Sequence, residues 1–205
     1  MSKVFIATSR QIGEKCIEWA QDNTPDEFKL CDSIEEADII ISVLYEKLFA
    51  PDVLKNKKCF NFHPGILPEY RGSGAFSWVI MNEEKKCGIT LHLIDKGIDS
   101  GDIIEIQEFP VESSDTAYSL FKRGEVIIYE MFKNWFGDIL KGNFKAVKQS
   151  LEDASLFLRK DLQEAKDLSK FIRAFYFPYK ESAYYYNQRG EKKYIHYDEV
   201  EDAFK

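Results

Sequence analysis

The sequence predicts an α/β fold: a mostly parallel β-sheet covered by helices, followed by a small C-terminal appendage of one helix and a β-hairpin. Short apolar runs that suit strands alternate with longer stretches in which apolar residues recur at helical spacing. A chain of 205 residues is long enough to bury one core and to carry a small addition. We therefore expect a main domain at residues 1–145 and the appendage at residues 146–205.

The first quarter of the chain already alternates strands with helical segments. The predicted strands lie at residues 4–7, 28–30 and 37–44. The predicted helical segments lie at residues 12–22, at residues 33–36 and from Pro51, a residue that suits a first helical turn. Residues 37–44 are apolar almost throughout, as expected for a central strand that is covered on both faces.

The later elements follow from the same patterns. Further strands are predicted at residues 58–60, 87–93 and 103–106. Further helices are predicted at residues 74–82, at residues 117–140 and from residue 161, where a capping box opens the helix of the appendage. Residues 145–160 are predicted to be a polar connector. A hairpin follows, with its turn at residues 187–190 and its second strand at residues 192–197.

Composition and charge exclude several classes of protein. A net charge of −7 and a pI near 5.2 argue against a broad nucleic-acid interface, which needs clustered Lys and Arg. No apolar run reaches the roughly 18 residues of a membrane helix, and the first residues lack the apolar segment of a signal peptide. The four cysteines lack metal-ligand spacing, and no G-x-G-x-x-G is present. We expect a cytoplasmic protein with reduced cysteines, no metal and no nicotinamide or flavin cofactor.

The most informative stretch runs from Asn61 to Gly72, with the sequence NFHPGILPEYRG. It follows the predicted strand at residues 58–60, and its prolines and glycines exclude a helix. Asn61 and His63 are two residues apart, so their side chains point to one face of an extended chain. Open α/β sheets place their sites at the carboxyl ends of strands. Asn61 and His63 are therefore candidate functional residues, although two hydrogen-bonded polar residues at a strand end are an alternative.

A second stretch, IDKGIDSGD at residues 94–102, joins two predicted strands. A loop so rich in Asp and Gly is typical of a turn or of a metal site. A calcium loop of the EF-hand type needs a longer series of carboxylates, a closing Glu and a helix on each side. This loop lacks that series and lies between strands, so we exclude a calcium site of this type.

Taken together, the patterns N-x-H-x(4)-P-x-Y-R-G, T-x-H and D-x-G-x-D-x-G-D-I-I resemble the folate-dependent formyltransferases. This family includes methionyl-tRNA formyltransferase, glycinamide ribonucleotide formyltransferase and the amino-sugar N-formyltransferases of bacterial surface polysaccharides such as the lipopolysaccharide O-antigen. The resemblance covers roughly residues 35–140. It implies a Rossmann-like sheet of the formyltransferase type, residues 1–145 as the catalytic domain, and N10-formyltetrahydrofolate as the co-substrate.

By that resemblance, Asn61, His63 and Asp99 match the catalytic Asn, His and Asp of the family. A side-chain amide is a neutral donor that suits an oxyanion, and imidazole titrates near neutrality. We therefore expect Asn61 to stabilise the oxyanion and either His63 or Asp99 to take the proton of the attacking amine. His92, on the strand between the two motifs, is expected to be structural.

The resemblance also suggests which side chains contact the ligands. The residues expected to bind the folate are Tyr45, Leu48, Phe49, Ile94, Asp95, Lys96, Gly97 and Ile98. The residues expected to bind the acceptor are Arg71, Trp78, Arg173 and Tyr184. The last two lie outside the resemblance and are chosen because the C-terminal segment supplies aromatic rings together with the cations Arg173, Lys180 and Arg189. Two of these also suit a structural role, Arg71 by bracing its loop and Trp78 by packing within a buried helix.

The expected acceptor is a nucleotide-linked amino sugar, with dTDP or GDP as the nucleotide. The acidic composition argues against a tRNA, and the first turn lacks a glycine-rich phosphate loop of a purine-pathway enzyme. The aromatic C-terminal segment suits stacking on a base or a homodimer interface. The competing hypotheses are an enzyme like methionyl-tRNA formyltransferase, a formyltetrahydrofolate hydrolase, and a non-catalytic folate-binding protein, which the short N-terminal half suggests.

Overall fold

The computed structural model describes residues 1–150, 152–157, 168–186 and 189–195. In chain order the strands are β1 (Ser2–Thr8), β2 (Phe28–Leu30), β3 (Ile39–Val43), β4 (Lys58–His63), β5 (Arg71–Gly72), β6 (Lys86–Leu93), β7 (Ile103–Pro110), β8 (Leu156–Phe157), β9 (Ala183–Tyr186) and β10 (Lys192–Ile195). The helices are α1 (Gln11–Asn23), α2 (Pro51–Asn56), α3 (Ala75–Met81), α4 (Ala117–Lys141) and α5 (Leu168–Phe175). None of these described helices has both the length and the apolar character needed to cross a membrane.

A six-stranded sheet in the order β2-β1-β3-β4-β6-β7 forms the centre of the molecule. The first four strands of this order are parallel, whereas β6 runs antiparallel to β4 and β7 runs antiparallel to β6. Parallel neighbours cannot be joined by a tight turn, and α1 and α2 lie in two of the connections that this arrangement requires. The prediction of a mostly parallel α/β sheet is confirmed.

The side chains of β3 alternate between two apolar layers, one on each face of the sheet. Ile39, Ile41 and Val43 belong to the large cluster that also contains the buried faces of α1 and α4. Ile40 belongs to a smaller cluster on the opposite face, together with Cys59 of β4. Because both faces of β3 are covered, all five of its residues are buried and Ser42 alone among them is polar, in agreement with the nearly continuous apolar run in the sequence.

β4 extends three residues beyond the predicted end at residue 60 and includes both candidate residues of the first motif. Asn61 pairs with His92 of β6, and His63 pairs with Thr90. The two candidate side chains are therefore held by a strand with neighbours on both sides. They lie on one face of the sheet, as their spacing predicts.

Where the structure describes residues 145–160, most of them form neither helix nor strand, as predicted for a polar connector, but two short pieces pair with other strands. Val147 and Ile103 exchange two backbone hydrogen bonds of 2.8 Å. Further along, β8 pairs in parallel with β5. The described part of this segment forms one bridge and two strand residues, which are too few to produce a periodic sequence pattern. The bridge and the short strand each stabilise a loop that lies next to the end of β4.

The C-terminal helix and hairpin are confirmed within the described residues. β9 and β10 pair antiparallel, while the predicted helix start at residues 161–164 and the turn residues 187 and 188 lie outside the described residues. Phe171 and Phe175 of α5 are buried in a cluster to which Trp78 of α3 contributes. Ser77 of α3 donates a hydrogen bond of 2.6 Å to the carbonyl of Ala174. The appendage is thus attached to the main sheet through α3.

Two aromatic residues of the C-terminal segment pack inside the chain. Phe175 is buried, and the ring of Phe177 lies 4.9 Å from that of Phe121 and 5.5 Å from that of Tyr118 on α4. Tyr179 is fully exposed. Intramolecular packing therefore explains part of the aromatic richness of this segment, and the homodimer stays a prediction.

Candidate active site

The side chains of Asn61, His63 and Asp99 meet at the carboxyl end of β4. Asp99 lies in the loop that joins β6 to β7, and its backbone has a φ of +48°. One carboxylate oxygen, Oδ2, accepts a hydrogen bond of 2.9 Å from the backbone N–H of Gly72 and lies 3.4 Å from Nδ1 of His63. The other oxygen, Oδ1, accepts from Nδ2 of Asn61 at 3.4 Å. Residues that are 38 positions apart thus form one hydrogen-bonded cluster.

The ring of His63 is buried and has a defined orientation. Nε2 donates a hydrogen bond of 2.7 Å to the backbone carbonyl of Tyr70, which leaves Nδ1 facing Asp99. Burial lowers the pKa of His63, and this outweighs the carboxylate of Asp99, which acts to raise it. His63 is therefore uncharged near neutral pH, with a lone pair on Nδ1 that can accept a proton.

The carboxylate of Asp99 stays ionised although it is largely buried. Burial acts to raise its pKa, but the imidazoles of His63 and His92 and the N–H of Gly72 together hold the pKa well below the usual range. A poor proton acceptor of this kind is a weak general base. It is well suited to stabilise a positive charge on His63 after that ring has taken a proton.

His92 completes the cluster. The sequence predicts a structural role for this residue but does not predict that its side chain lies beside Asn61 and Asp99. Its Nδ1 donates to its neighbour's carbonyl, Leu93 O, at 2.6 Å, so in the uncharged ring Nε2 accepts from Nδ2 of Asn61 at 3.2 Å. Nε2 also lies 3.6 Å from Oδ1 of Asp99. His92 thereby fixes which end of the Asn61 amide faces the cluster. The alternation of the T-x-H strand was the only signal for this position in the sequence.

Thr90 stabilises the loop that follows His63. Its hydroxyl donates to the carbonyl of Gly65 at 2.6 Å and accepts from the N–H of Leu67 at 3.2 Å. Both bonds are buried, so the hydroxyl satisfies two backbone groups that a turn in this position would otherwise leave unpaired. The loop therefore returns to His63 and brings the carbonyl of Tyr70 within reach of its ring.

A cavity of about 640 Å³ opens over the cluster, and Asn61, His63, His92 and Asp99 all line it. A volume of this size suits a cofactor or a substrate of comparable dimensions. Among the residues that the structure describes, no group of three or more His, Cys, Asp or Glu side chains has the geometry of a metal site.

A family model described as formyl transferase matches residues 10–132, which is more than half of the chain. The chain belongs to the formyl transferase family. The match includes Asn61, His63 and Asp99, so the resemblance to the folate-dependent formyltransferases is confirmed.

Curated relatives carry two different acceptor names. The chain is 33% identical over 146 residues to methionyl-tRNA formyltransferase of Alkaliphilus oremlandii, which covers 66% of this chain and 47% of the relative. It is 41% identical over 90 residues to GDP-perosamine N-formyltransferase of Brucella melitensis, which covers 43% of this chain and 35% of the relative. The chain thus spans less than half the length of these relatives.

Solved structures match over a larger share of their length. A sugar N-formyltransferase from Shewanella sp. has a TM-score of 0.82 at 21% identity, with 96% of this chain and 97% of that chain covered. An N-formyltransferase from Helicobacter canadensis, in complex with folinic acid and dTDP-3-aminofucose, has a TM-score of 0.74 at 25% identity, with 86% and 81% covered. The formyl transferase fold is therefore established for this chain.

Most of the side chains expected to bind folate line the cavity. The lining residues from this set are Tyr45, Leu48, Phe49, Ile94, Asp95, Gly97 and Ile98. The rings of Tyr45 and Phe49 stack with their centroids 5.4 Å apart. Lys96 does not line the cavity. Asp95 accepts from the N–H of Gly97 at 2.9 Å and from the hydroxyl of Ser100 at 2.6 Å, so it also stabilises its own turn.

None of the four residues expected to bind the acceptor lines the cavity, so the structure gives that expectation no support. The guanidinium of Arg71 donates to Gln149. Trp78 packs on Phe157 with ring centroids 4.9 Å apart. Arg173 donates to the carbonyls of Ser113 and Asp115, and Tyr184 packs among aromatic rings of the appendage. All four side chains are half-buried, and each contacts other groups of the protein.

A further set of cationic, acidic and aromatic side chains lines the same cavity: Arg10, Glu46, Phe121, Phe177 and Lys180. Phe177 and Lys180 belong to the C-terminal segment in which the sequence predicts aromatic and cationic contacts to the acceptor, whereas no sequence pattern predicts the other three. Arg10 forms an ion pair with Glu46, and the ammonium group of Lys180 lies 3.8 Å from the same carboxylate oxygen.

We predict that Gly65→Ala disables the site while leaving the fold intact. An added Cβ would lie 2.7 Å from Nε2 of His63 and 2.8 Å from the carbonyl of Tyr70, the two atoms of one hydrogen bond. The ring of His63 must then move, and a misplacement of about 1 Å can cost on the order of 10²-fold in rate. Catalytic rates and thermal melts of the purified variant test this.

Gly137→Ala is the matched control, since nothing lies within 4 Å of an added Cβ at that position in α4. This variant should keep full activity and gain about 0.5–1 kcal/mol of stability from the better helix former. Unchanged activity of Gly65→Ala would contradict the role of the His63–Tyr70 hydrogen bond.

Proposed function

We propose that this chain transfers the formyl group of N10-formyltetrahydrofolate to the primary amine of a nucleotide-linked amino sugar. The observation that carries the proposal is the hydrogen-bonded cluster of Asn61, His63 and Asp99 in the wall of one large cavity. The residues expected to bind folate line this cavity and suit a pterin. Cations and aromatic rings also line it and suit an anionic ligand with an aromatic base.

The reaction begins when the amine attacks the formyl carbon, and Nδ1 of His63 takes the proton that the amine loses. Asp99, 3.4 Å from this nitrogen, stabilises the resulting imidazolium. His63 rather than Asp99 is the base in this proposal, because the low pKa of Asp99 makes it a poor proton acceptor. The same proton then passes to N10 of the folate as the bond between that nitrogen and the formyl carbon breaks.

Asn61 supplies a hydrogen bond to the oxyanion of the tetrahedral intermediate. Its amide has two N–H groups, one 3.2 Å from Nε2 of His92 and one 3.4 Å from Oδ1 of Asp99. The contact with Asp99, at 3.4 Å, is longer than an ordinary N–H···O hydrogen bond of about 2.7–3.2 Å and is therefore weak. That N–H can turn to a developing oxyanion while the bond to His92 keeps the amide in place, which is the preorganisation that such catalysis needs.

The folate half of the proposal rests on apolar contacts. Leu48 and Ile98 are 88% and 44% exposed at the rim of the cavity, an unusual state for large aliphatic side chains. Together with the stacked pair Tyr45 and Phe49 they offer apolar surface to a flat ring such as a pterin. The folinic acid in the related structure from Helicobacter canadensis supports this type of ligand.

The acceptor half combines cations with aromatic rings. Arg10 and Lys180 are the cations, and both lie close to the carboxylate of Glu46. A diphosphate carries more negative charge than a carboxylate. It would therefore displace the carboxylate of Glu46 as the partner of Arg10 and Lys180. Phe121 and Phe177 lie alongside, with ring centroids 4.9 Å apart, and offer surface on which a base or a deoxysugar can pack. These features support a sugar nucleotide.

The main rival is a methionyl-tRNA formyltransferase activity, since curated relatives carry that name. A tRNA contacts its enzyme through many phosphates, which requires a cationic surface. The net charge of −7 favours the smaller acceptor. A formyltetrahydrofolate hydrolase and a non-catalytic folate-binding protein are distinguished from a transferase by the same assay.

We predict that the purified protein formylates at least one dTDP- or GDP-linked 3-amino- or 4-amino-deoxyhexose when supplied with N10-formyltetrahydrofolate. Initiator methionyl-tRNA should not be formylated at low salt, where electrostatic binding is strongest. The measurement is transfer of a radiolabelled formyl group to each acceptor of the panel.

Three results of this assay would contradict the proposal. Formylation of the tRNA with no sugar nucleotide accepted would indicate the rival acceptor. Release of formate in the absence of any amine would indicate a hydrolase. Binding of folate without turnover under all conditions would indicate a non-catalytic protein.

We predict that Asn61→Ala lowers kcat by about 10²–10³, since one oxyanion donor is typically worth that factor. Asn143→Ala is the control, because Asn143 is exposed after the end of α4. The KM for folate should change little in either variant. A kcat close to that of the unmodified chain in Asn61→Ala would remove this residue from the reaction.

We predict that Arg10→Ala and Lys180→Ala each raise the KM for the sugar nucleotide and leave the KM for folate unchanged. A charge-assisted hydrogen bond is worth about 1.5–3 kcal/mol, which corresponds to roughly tenfold or more. Lys145→Ala, at an exposed position outside the cavity, is the control. A change in the folate KM instead would assign these cations to the other substrate.

A further inference from the structure

Gln149 is a buried polar residue that lies behind the site without lining the cavity. It is 6% exposed and belongs to the segment that was predicted to be a connector. The backbone bridge between Val147 and Ile103 brings this segment against the start of β7. Gln149 is thereby placed between the loop that carries Asp99 and the strand that carries Arg71 and Gly72.

The side-chain amide of Gln149 uses its full hydrogen-bonding capacity. Nε2 donates to the carbonyl of Asp99 at 2.9 Å and to the carbonyl of Gly101 at 2.6 Å. Oε1 accepts from Nε and Nη2 of Arg71 at 2.9 and 2.7 Å. The two N–H donors of the amide bind two backbone carbonyls, and its oxygen accepts two hydrogen bonds from the guanidinium of Arg71. A side chain must therefore be both a double donor and an acceptor to replace Gln149.

These bonds join the two backbone segments that hold the carboxylate of Asp99. On one side, Gln149 binds the carbonyl of Asp99 itself, whose φ of +48° is uncommon for a residue other than glycine. On the other side it binds Arg71, and the N–H of the next residue, Gly72, donates to Oδ2 of Asp99. A strained backbone of this kind persists only where its surroundings hold it.

We propose that Gln149 is a positioning residue for Asp99, which fixes the carboxylate at the distance from His63 that the reaction requires. Gln149 does not touch a substrate and has no proton to give. It acts by setting the relative position of two loops. The proposal deepens the proposed function and rests on it for the activity readout, whereas the titration of His63 can be measured without any substrate.

The titratable groups around Asp99 are His63 on β4 and His92 on β6, and the guanidinium of Arg71 on β5 lies behind Gln149. The negative charge of Asp99 acts to raise the pKa of His63. If the carboxylate moves away from the ring, that contribution is lost and the pKa of His63 falls. A variant of Gln149 should therefore shift the titration of His63 in the same direction as Asp99→Asn.

The experiment compares the unmodified chain with Gln149→Met, Asp99→Asn and the double variant. Methionine keeps the length of the side chain and removes every hydrogen bond. The chain contains three histidines, so the ¹H–¹³C spectrum of the imidazoles is simple, and His92→Gln and His196→Gln assign the signals. Gln107→Met, an exposed position on β7, is the matched control. If Gln149→Met does not fold, Gln149→Asn is measured instead, because the shorter amide cannot reach both sides.

We expect Gln149→Met to lower the pKa of His63 and to reduce kcat/KM on the order of 10²-fold. The double variant should titrate like Asp99→Asn alone, since both changes remove one interaction. Gln107→Met should leave the titration and the rate unchanged. A lower melting temperature with an unchanged titration of His63 would overturn the proposal and leave Gln149 a structural residue. If no acceptor is formylated but the titration shifts as expected, the proposed function fails and the positioning role stands.

Discussion

The carboxylate of Asp99 is the group on which the rest of the site depends. Within 3.6 Å it meets two imidazole rings, one side-chain amide and one backbone N–H. A largely buried charge is costly unless it is paired and hydrogen-bonded, so each neighbour must be held in place. This requirement explains the positive φ of Asp99 and the position of Gly72, whose own φ is +93°. It also explains why the segment around Gln149, which has no periodic sequence pattern, packs against this loop and places the buried amide of Gln149 behind it.

The same contacts fix both the orientation of the His63 ring and its charge state. Its Nε2 is bonded to the backbone carbonyl of Tyr70, so only Nδ1 can take a proton, and it does so next to Asp99. Burial keeps the ring uncharged before the reaction, and the carboxylate stabilises it afterwards. Asn61 is oriented by His92 in a similar way. Each reacting side chain therefore has one neighbour that fixes its orientation, and its remaining polar group lies 3.4 Å from a carboxylate oxygen of Asp99.

The fold and three residues of the site could be predicted because they depend on local patterns. The spacing of apolar residues predicted the strands and helices of the sheet, and two short motifs contained Asn61, His63 and Asp99. The position of His92 beside Asn61 depends on the register of β6 against β4, which no local pattern encodes. Arg10, Glu46 and Lys180 come from three distant segments that only the folded chain brings together. Arg71 and Trp78 contact other side chains of the protein in this structure, because long cations and aromatic rings also pack within a fold, and their role in acceptor binding stays a prediction.

The central claim is that an acceptor amine reaches His63 while folate and the rest of the acceptor occupy the same cavity, the acceptor being bound by Arg10 and Lys180. The most direct test is a crystal structure of the protein with folinic acid and a dTDP-linked amino sugar. The distance to measure is that between the amine nitrogen and Nδ1 of His63. The account predicts about 3 Å or one bridging water, with the pterin beside Tyr45 and Phe49. An amine bound away from His63, or a pterin bound against Arg10 and Lys180, would contradict it.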